Sequence, residues 1–180
     1  MKVTPTKLEG VFILEPAVFG DERGYFFESY NQQAFADAGM DAVFVQDNQS
    51  SSRKGILRGL HFQTGEHAQA KLVRAFSGTV LDVTVDLRPN SPTYGEHVAV
   101  ELSGENRKQL YIPRGFAHGF IVLSDEAIFS YKCDNFYNKE AEGGLRYNDP
   151  ALSIDWLLAE DDIIVNERDA SFPTLAELKK

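Results

Sequence analysis

Residues Ala70–Arg88, AKLVRAFSGTVLDVTVDLR, decide the fold class. They read as strand, Ser-Gly turn, strand: apolar and β-branched residues interrupted once, at Ser77-Gly78. Working outward, the same language recurs in Gly55–Gln63, Glu96–Leu102, Gln109–Pro113 and Phe120–Cys133, divided by Pro-Asn-Ser-Pro, Ser-Gly and Ser-Asp turn signals. Towards the N-terminus, Val11–Phe19 and Gly24–Tyr30 are short aromatic and β-branched runs, and Val43–Asn48 alternates apolar with polar residues. Helical character is confined to Asn31–Ala38, Asp161–Asn166 and Leu175–Lys179. Many short strands with regular turn punctuation predict a sandwich, jelly roll or barrel. No repeat or linker divides the chain, so residues 1–180 are expected to form one all-β domain with a few short peripheral helices.

Composition narrows the function. The chain has 180 residues, 43% of them hydrophobic, which is enough apolar surface for a core. The net charge of −9 repels phosphate backbones, arguing against general nucleic-acid binding while leaving room for a local basic pocket. The lone cysteine, Cys133, cannot form an internal disulfide, which fits a reducing compartment. MKVTPTKLEG has no apolar signal region, and no stretch approaches the ~18 apolar residues of a membrane span. A cytoplasmic protein with no membrane partner is expected.

Three stretches place polar groups where core strands want apolar ones. The first is GILRGLHFQ, residues 55–63, with Arg58 and His61 among Ile, Leu, Phe and Gly. The second pairs HAQAKLVRAFSG (67–78) with IPRGFAHG (112–119). This pair resembles the two motifs of the cupin superfamily: His67, three residues, Lys71, six residues and Gly78, then Pro113, Gly115 and His118. The resemblance implies a cupin-type β jelly roll, a double-stranded antiparallel barrel with a pocket inside. Two departures bear on chemistry. Lys71 stands where a metal cupin has its ligating Glu, and Gly65 falls where the first His belongs. A divalent ion needs several imidazole and carboxylate ligands, and an ammonium among them is unfavourable, so no metal and no other cofactor is expected. Lys71 is expected to do electrostatically what the ion does elsewhere.

The third stretch is DERGYFFE (21–28), joined by QDNQS (46–50). With GILRGLHFQ, AQAKLVR, DVTVDLRPNSPTYG, LSGENRKQLYIPRGFAHGF and YKCDNFY, it closely resembles the dTDP-4-dehydrorhamnose 3,5-epimerase family, from about Gly10 to Leu175. The resemblance implies an isomerase acting on a dTDP-4-keto-6-deoxy sugar, inverting C3 and C5 by proton abstraction next to the C4 ketone and reprotonation from the opposite face. Carried over by position, His61 is the base, Asp169 its partner, Tyr131 the proton donor and Lys71 the group facing the O4 enolate. Arg23 and Arg58 match phosphate-gripping positions; Glu28, Gln46 and Asn48 surround base and sugar. His118 and Glu142 match pocket positions, and Arg168 stands where Lys is common. Phe26 and Tyr137 are candidates for stacking on the base, while Tyr147 and Leu157 replace an expected Trp and Pro. A homodimer is implied, sharing an N-terminal strand, with Arg23 able to reach the neighbour's pocket. Rivals are an epimerase inverting only one centre, a metal-dependent cupin oxygenase, and a sugar-nucleotide-binding module without catalysis.

Overall fold

A computed structural model describes residues 1–178. The Ala70–Arg88 stretch resolves into β7 (Lys71–Ser77) and β8 (Thr79–Asp86), hinged at Gly78. Gly78 has φ +71°, and a Cβ there would lie 2.1 Å from the Glu126 carbonyl, so only glycine fits the turn. The two strands do not pair with each other. The turn carries the chain from one sheet to another, which is what makes the stretch diagnostic of a two-sheet barrel.

The strands before them are β1 (Lys2–Pro5), β2 (Phe12–Glu15), β3 (Phe19–Asp21), β4 (Gly24–Phe26), β5 (Gln46–Arg53) and β6 (Leu57–Gln63). After them come β9 (His97–Ser103), β10 (Gln109–Ile112), β11 (Phe116–Val122), β12 (Glu126–Cys133) and β13 (Glu142–Gly144). One sheet runs β1-β2-β10-β7-β12-β5, the other β13-β6-β11-β8-β9, and β3-β4 forms a separate hairpin. All strand pairings are antiparallel. The helices are α1 (Gln32–Asp37), α2 (Glu167–Ala170) and α3 (Leu175–Leu178). This is the jelly roll with short peripheral helices that the sequence predicts.

Three apolar layers hold it. Val73, Val80, Leu102, Leu110, Phe120 and Phe129 fill one end of the space between the sheets. Leu57, Leu60, Leu81, Val83 and Val85, on the outer face of the five-stranded sheet, bury against Leu145, Leu152 and Trp156. Burying a Leu or Val side chain contributes about 1.5–3 kcal/mol, and this layer docks the largely irregular C-terminal segment over the barrel. Leu14, Leu72 and Tyr111 meet Phe35 of α1 on the other outer face. The sheets' remaining inner surface is polar and encloses a cavity.

Several boundaries differ from the sequence reading. Val11–Phe19 is not one strand: β2 stops at Glu15, before Pro16, which has no N–H for a ladder. The strand expected over Val43–Asn48 runs instead from Gln46 to Arg53, because alternate polar residues of QDNQSSSR face the cavity. A 3-10 turn at Glu160–Asp162 and α2 replace the helix expected over Asp161–Asn166; Asn166 caps α2 rather than lying inside a helix. Asn31 likewise caps α1 through its side chain, as its position before Gln32 favours. α3 lies within the helix expected over Leu175–Lys179, whose Lys179 is outside the described residues. Leu157 has φ +62°, a conformation closed to the Pro expected at that position.

Candidate active site

Strand periodicity and one bulge build the site. Side chains of a strand alternate faces, so Asn48 and Ser50 of β5, Lys71 of β7 and Tyr131 of β12 point inward from the six-stranded sheet. From the five-stranded sheet come Arg58, His61 and His118. Together they line a cavity of about 370 Å³. Arg58 and His61 are three residues apart, yet both face inward. The β6–β11 register pairs His118 with His61 but Phe120 with Arg58, so β6 has one extra residue. Gly59 sits in that bulge at φ +131°, where a Cβ would lie 2.5 Å from Gly119 Cα.

The bulge also builds a histidine–carboxylate pair. Gly59 N–H donates to Asp169 Oδ2 (3.1 Å), and Asp169 Oδ1 lies 3.0 Å from His61 Nε2. Asp169 is fully buried, although it lies 108 positions along the chain from His61; α2, capped by Asn166, delivers it. Burial works against the carboxylate's charge, but the His61 contact and the Gly59 N–H hold its pKa below the usual range. Asp169 can therefore remain ionised and support an imidazolium.

Arg168, on the same helix, donates through Nε to Asp169 Oδ1 (3.1 Å) and through Nη1 to Glu142 Oε2 (3.0 Å). Its Nη2 lies 3.2 Å from His61 Nε2. Despite partial burial, Glu142 and Asp169 hold the guanidinium above its ordinary pKa.

The facing wall carries Lys71 and Tyr131. Lys71 Nζ lies 5.8 Å from the Tyr131 ring centroid. Burial pushes Lys71 below the ordinary lysine range, making its proton more available to an enolate oxygen. Burial pushes Tyr131 up, so the phenol stays protonated and can donate. Asn48 and Tyr131 are register partners, with Gln46 Nε2 donating to Asn48 Oδ1 at 3.1 Å. Gln46 also accepts the Tyr137 N–H (3.0 Å), and the Tyr137 hydroxyl donates to Glu142 Oε2 (3.0 Å), in an adjoining lobe of the cavity. Arg58 Nε donates to Ser52 Oγ at 3.1 Å.

Eleven of the sequence-selected side chains thus border two adjoining pockets with shared walls: His61, Lys71, Tyr131, Asp169, Asn48, Arg58, His118, Glu142 and Arg168 in the main chamber, Gln46 and Tyr137 in the lobe. The other three do not join it within this chain. Arg23 and Phe26 lie on the β3–β4 hairpin, both largely exposed, with Arg23 paired to Asp21. Glu28, just beyond, accepts from Asn31 Nδ2 at 3.1 Å. The hairpin stands apart from both sheets, so no backbone ladder draws these groups inward.

His118 lies on the cavity floor with a partner the sequence reading missed. Its Nε2 is 2.8 Å from Asp82 Oδ2, and the pair is buried within one sheet. Burial holds His118 below the ordinary histidine pKa, with Asp82 opposing that shift. The second oxygen of Asp82 has no hydrogen-bond partner among the described atoms. Asp82 was detectable: a carboxylate inside VLDVTVD is as anomalous as His61 inside GLHFQ. Gly59 and Asn166 carried no such signal. His67, the histidine matched to the first cupin motif, instead lies in a 3-10 turn and contacts Asn138 Nδ2 at 3.1 Å. Among the described residues, no three His, Cys, Asp or Glu side chains converge as a metal site would require.

The family model for dTDP-4-dehydrorhamnose 3,5-epimerase matches residues 5–177. The dTDP-4-dehydrorhamnose 3,5-epimerase of Salmonella typhimurium is 53% identical over 97% of this chain and 96% of its own. A crystal structure of the dTDP-4-dehydrorhamnose 3,5-epimerase from Elizabethkingia anophelis superposes with a TM-score of 0.95 at 56% identity, covering 98% of this chain and 97% of that one. The dTDP-6-deoxy-D-glucose-3,5-epimerase of Legionella pneumophila, solved in complex with dTDP-4-keto-L-rhamnose, gives 0.93 at 46% identity, covering 97% and 93%. With nearly its whole length matched, this chain belongs to the dTDP-4-dehydrorhamnose 3,5-epimerase family.

Proposed function

We propose that residues 1–180 act as one catalytic domain that converts dTDP-4-dehydro-6-deoxy-D-glucose to dTDP-4-dehydro-L-rhamnose. The observation that carries this reading is the His61–Asp169 pair on one sheet facing Lys71 and Tyr131 on the other, across a single cavity. A carbon acid next to a ketone requires a base, a stabiliser for the enolate oxygen, and an acid on the far face. His61, oriented by Asp169, removes the proton from C5 or C3, and the C–H electron pair moves through the enolate to O4. Lys71 offsets the oxyanion charge. Tyr131 then delivers a proton to the opposite face, its phenolate is reprotonated from solvent, and His61 releases the proton it took. The protons balance at each centre, and only configuration changes.

Binding uses the remaining groups. Arg58 and Arg168 face the cavity with forks suited to diphosphate oxygens. Gln46, Asn48, Glu142 and His118 offer mixed donors and acceptors to the sugars and the base, and Tyr137 offers a ring. Arg23, Phe26 and Glu28 complete a pocket in this reading only across a homodimer, the hairpin reaching into the neighbouring subunit. Exposure of Phe19 (66%), Tyr25 (58%) and Phe26 (69%) on that hairpin supports it. Among the described residues no helix is long and apolar enough to cross a membrane; we place the enzyme in the cytoplasm on its single cysteine, which fits a reducing compartment.

Incubation with dTDP-4-dehydro-6-deoxy-D-glucose in deuterated buffer, followed by NMR, tests the reaction. Deuterium at C3 and C5 with L-rhamno configuration is expected. Inversion at one centre would establish the single-centre epimerase instead, and binding without exchange would establish the binding module.

A further inference from the structure

His61 Nε2 is claimed by two groups with opposite demands. Asp169 Oδ1, at 3.0 Å, can only accept, so it requires Nε2 to carry a proton. Arg168 Nη2, at 3.2 Å, can only donate, so it requires Nε2 to present its lone pair. A neutral imidazole satisfies one of them. With Nε2–H donated to Asp169, Nδ1 holds the lone pair and can take a proton. With Nε2 accepting from Arg168, the proton sits on Nδ1, and the base is blocked.

We propose that Arg168 governs which ring nitrogen of His61 carries the proton, holding the base capped until a nucleotide diphosphate draws the guanidinium away. Three features support this. Arg168 is held by Glu142 and Asp169, yet its side chain is 52% exposed, so a ligand entering the cavity can reach the guanidinium. Asp169 keeps the Gly59 N–H on its other oxygen and stays in place when Arg168 leaves. Arg168 shares the cavity with Arg58, and a diphosphate entering there competes for the same fork. Arg168 is thus a positioning residue that makes the base depend on the anionic end of the substrate. Binding energy from a non-reacting part of the ligand is then expressed in the chemical step.

The inference rests on His61 as the base, and its test is independent of turnover. Long-range 1H–15N correlation spectra of 15N-labelled protein, recorded with the imidazole neutral, distinguish the Nδ1–H and Nε2–H tautomers. Unliganded protein is expected to show His61 mainly as Nδ1–H, and saturating dTDP should convert it to Nε2–H. Arg168→Met should show Nε2–H with and without dTDP. Arg168→Leu, which likewise removes every donor, should match it and serves should the Met variant fail to fold. An Nε2–H tautomer in the unliganded native protein, no change on adding dTDP, or a dTDP-driven switch persisting in both variants would overturn the proposal. Deuterium exchange by His61→Ala tests the base assignment separately. If that variant retained exchange while the tautomer switch was observed, the Arg168 coupling would stand and the base would lie elsewhere.

Discussion

The barrel contains two histidine–aspartate pairs whose imidazoles are neighbours across the β6–β11 ladder, and their surroundings differ. His118–Asp82 is made within one sheet, on the floor, from residues of adjacent strands. His61–Asp169 is made between a strand bulge and the C-terminal α2, at the cavity's mouth, with Arg168 against it. The His61 side chain is 26% exposed and that of His118 7%. A general base must exchange protons with substrate and then with solvent, so partial exposure suits His61. A buried neutral histidine hydrogen-bonded to a carboxylate suits rigid positioning. In the proposed reaction, access to water thus fits one pair for proton transfer and the other for holding a pocket group in place.

Removing the two pairs' groups one at a time separates their roles. His61→Ala should lower deuterium exchange at C3 and C5 by about 10²–10⁴ or more, while isothermal titration shows dTDP binding largely intact. Near-normal exchange would transfer the base role away from His61, with His118 the next candidate.

Tyr131→Phe sharpens the other half of the mechanism. The ring and its packing remain, but the transferable proton is lost. Net inversion should drop by about 10²-fold or more, while deuterium wash-in with retained configuration persists, both read from one NMR time course. Exchange and inversion falling together would make Tyr131 a positioning or enolate-stabilising group.

The floor pair should respond in stability more than in rate. Asp82→Asn weakens a buried hydrogen bond to a charged acceptor and should cost about 1.5–3 kcal/mol in urea unfolding. Asp169→Asn should instead reduce kcat far more than stability, since its amide oxygen can still accept the Gly59 N–H. A reversal of these two profiles would invert the assignment.

The smallest effect expected is in the acid limb. The folded-state pKa of His118 is lowered, so below its unfolded value of ~6.5 the unfolded chain binds the proton more readily. Its contribution to stability is therefore full above that pH and is lost as pH falls. Asp169, also lowered, adds a loss at still lower pH, below its unfolded value of ~3.9. His118→Gln should flatten the upper part of this profile in thermal melts across pH. An unchanged slope would show that His118 is not buried neutral.

Local chemistry was enough to determine much of this protein. Turn residues and β-branched runs dictate an all-β chain, because strand propensity and turn geometry act over a few residues. Gly78 is readable as a turn because no other residue fits its conformation. Polar residues embedded in apolar strands, Arg58, His61 and Lys71, mark the cavity, because burying such groups is unfavourable unless they are paired or functional; Tyr131 reads as an ordinary strand aromatic and was picked out only by the family resemblance. Tertiary structure decided the rest. The extra residue in β6 turns Arg58 and His61 to the same side, although strict alternation would have separated them. Docking of the C-terminal layer brings Asp169 to His61 and Arg168 onto the same nitrogen, a juxtaposition with no trace in spacing. The β3–β4 hairpin holds Arg23 and Phe26 outside the barrel, which no local pattern could reveal. In each case the deciding contacts join residues distant in sequence, and their geometry is set by how whole sheets and segments pack, not by any residue's own preference.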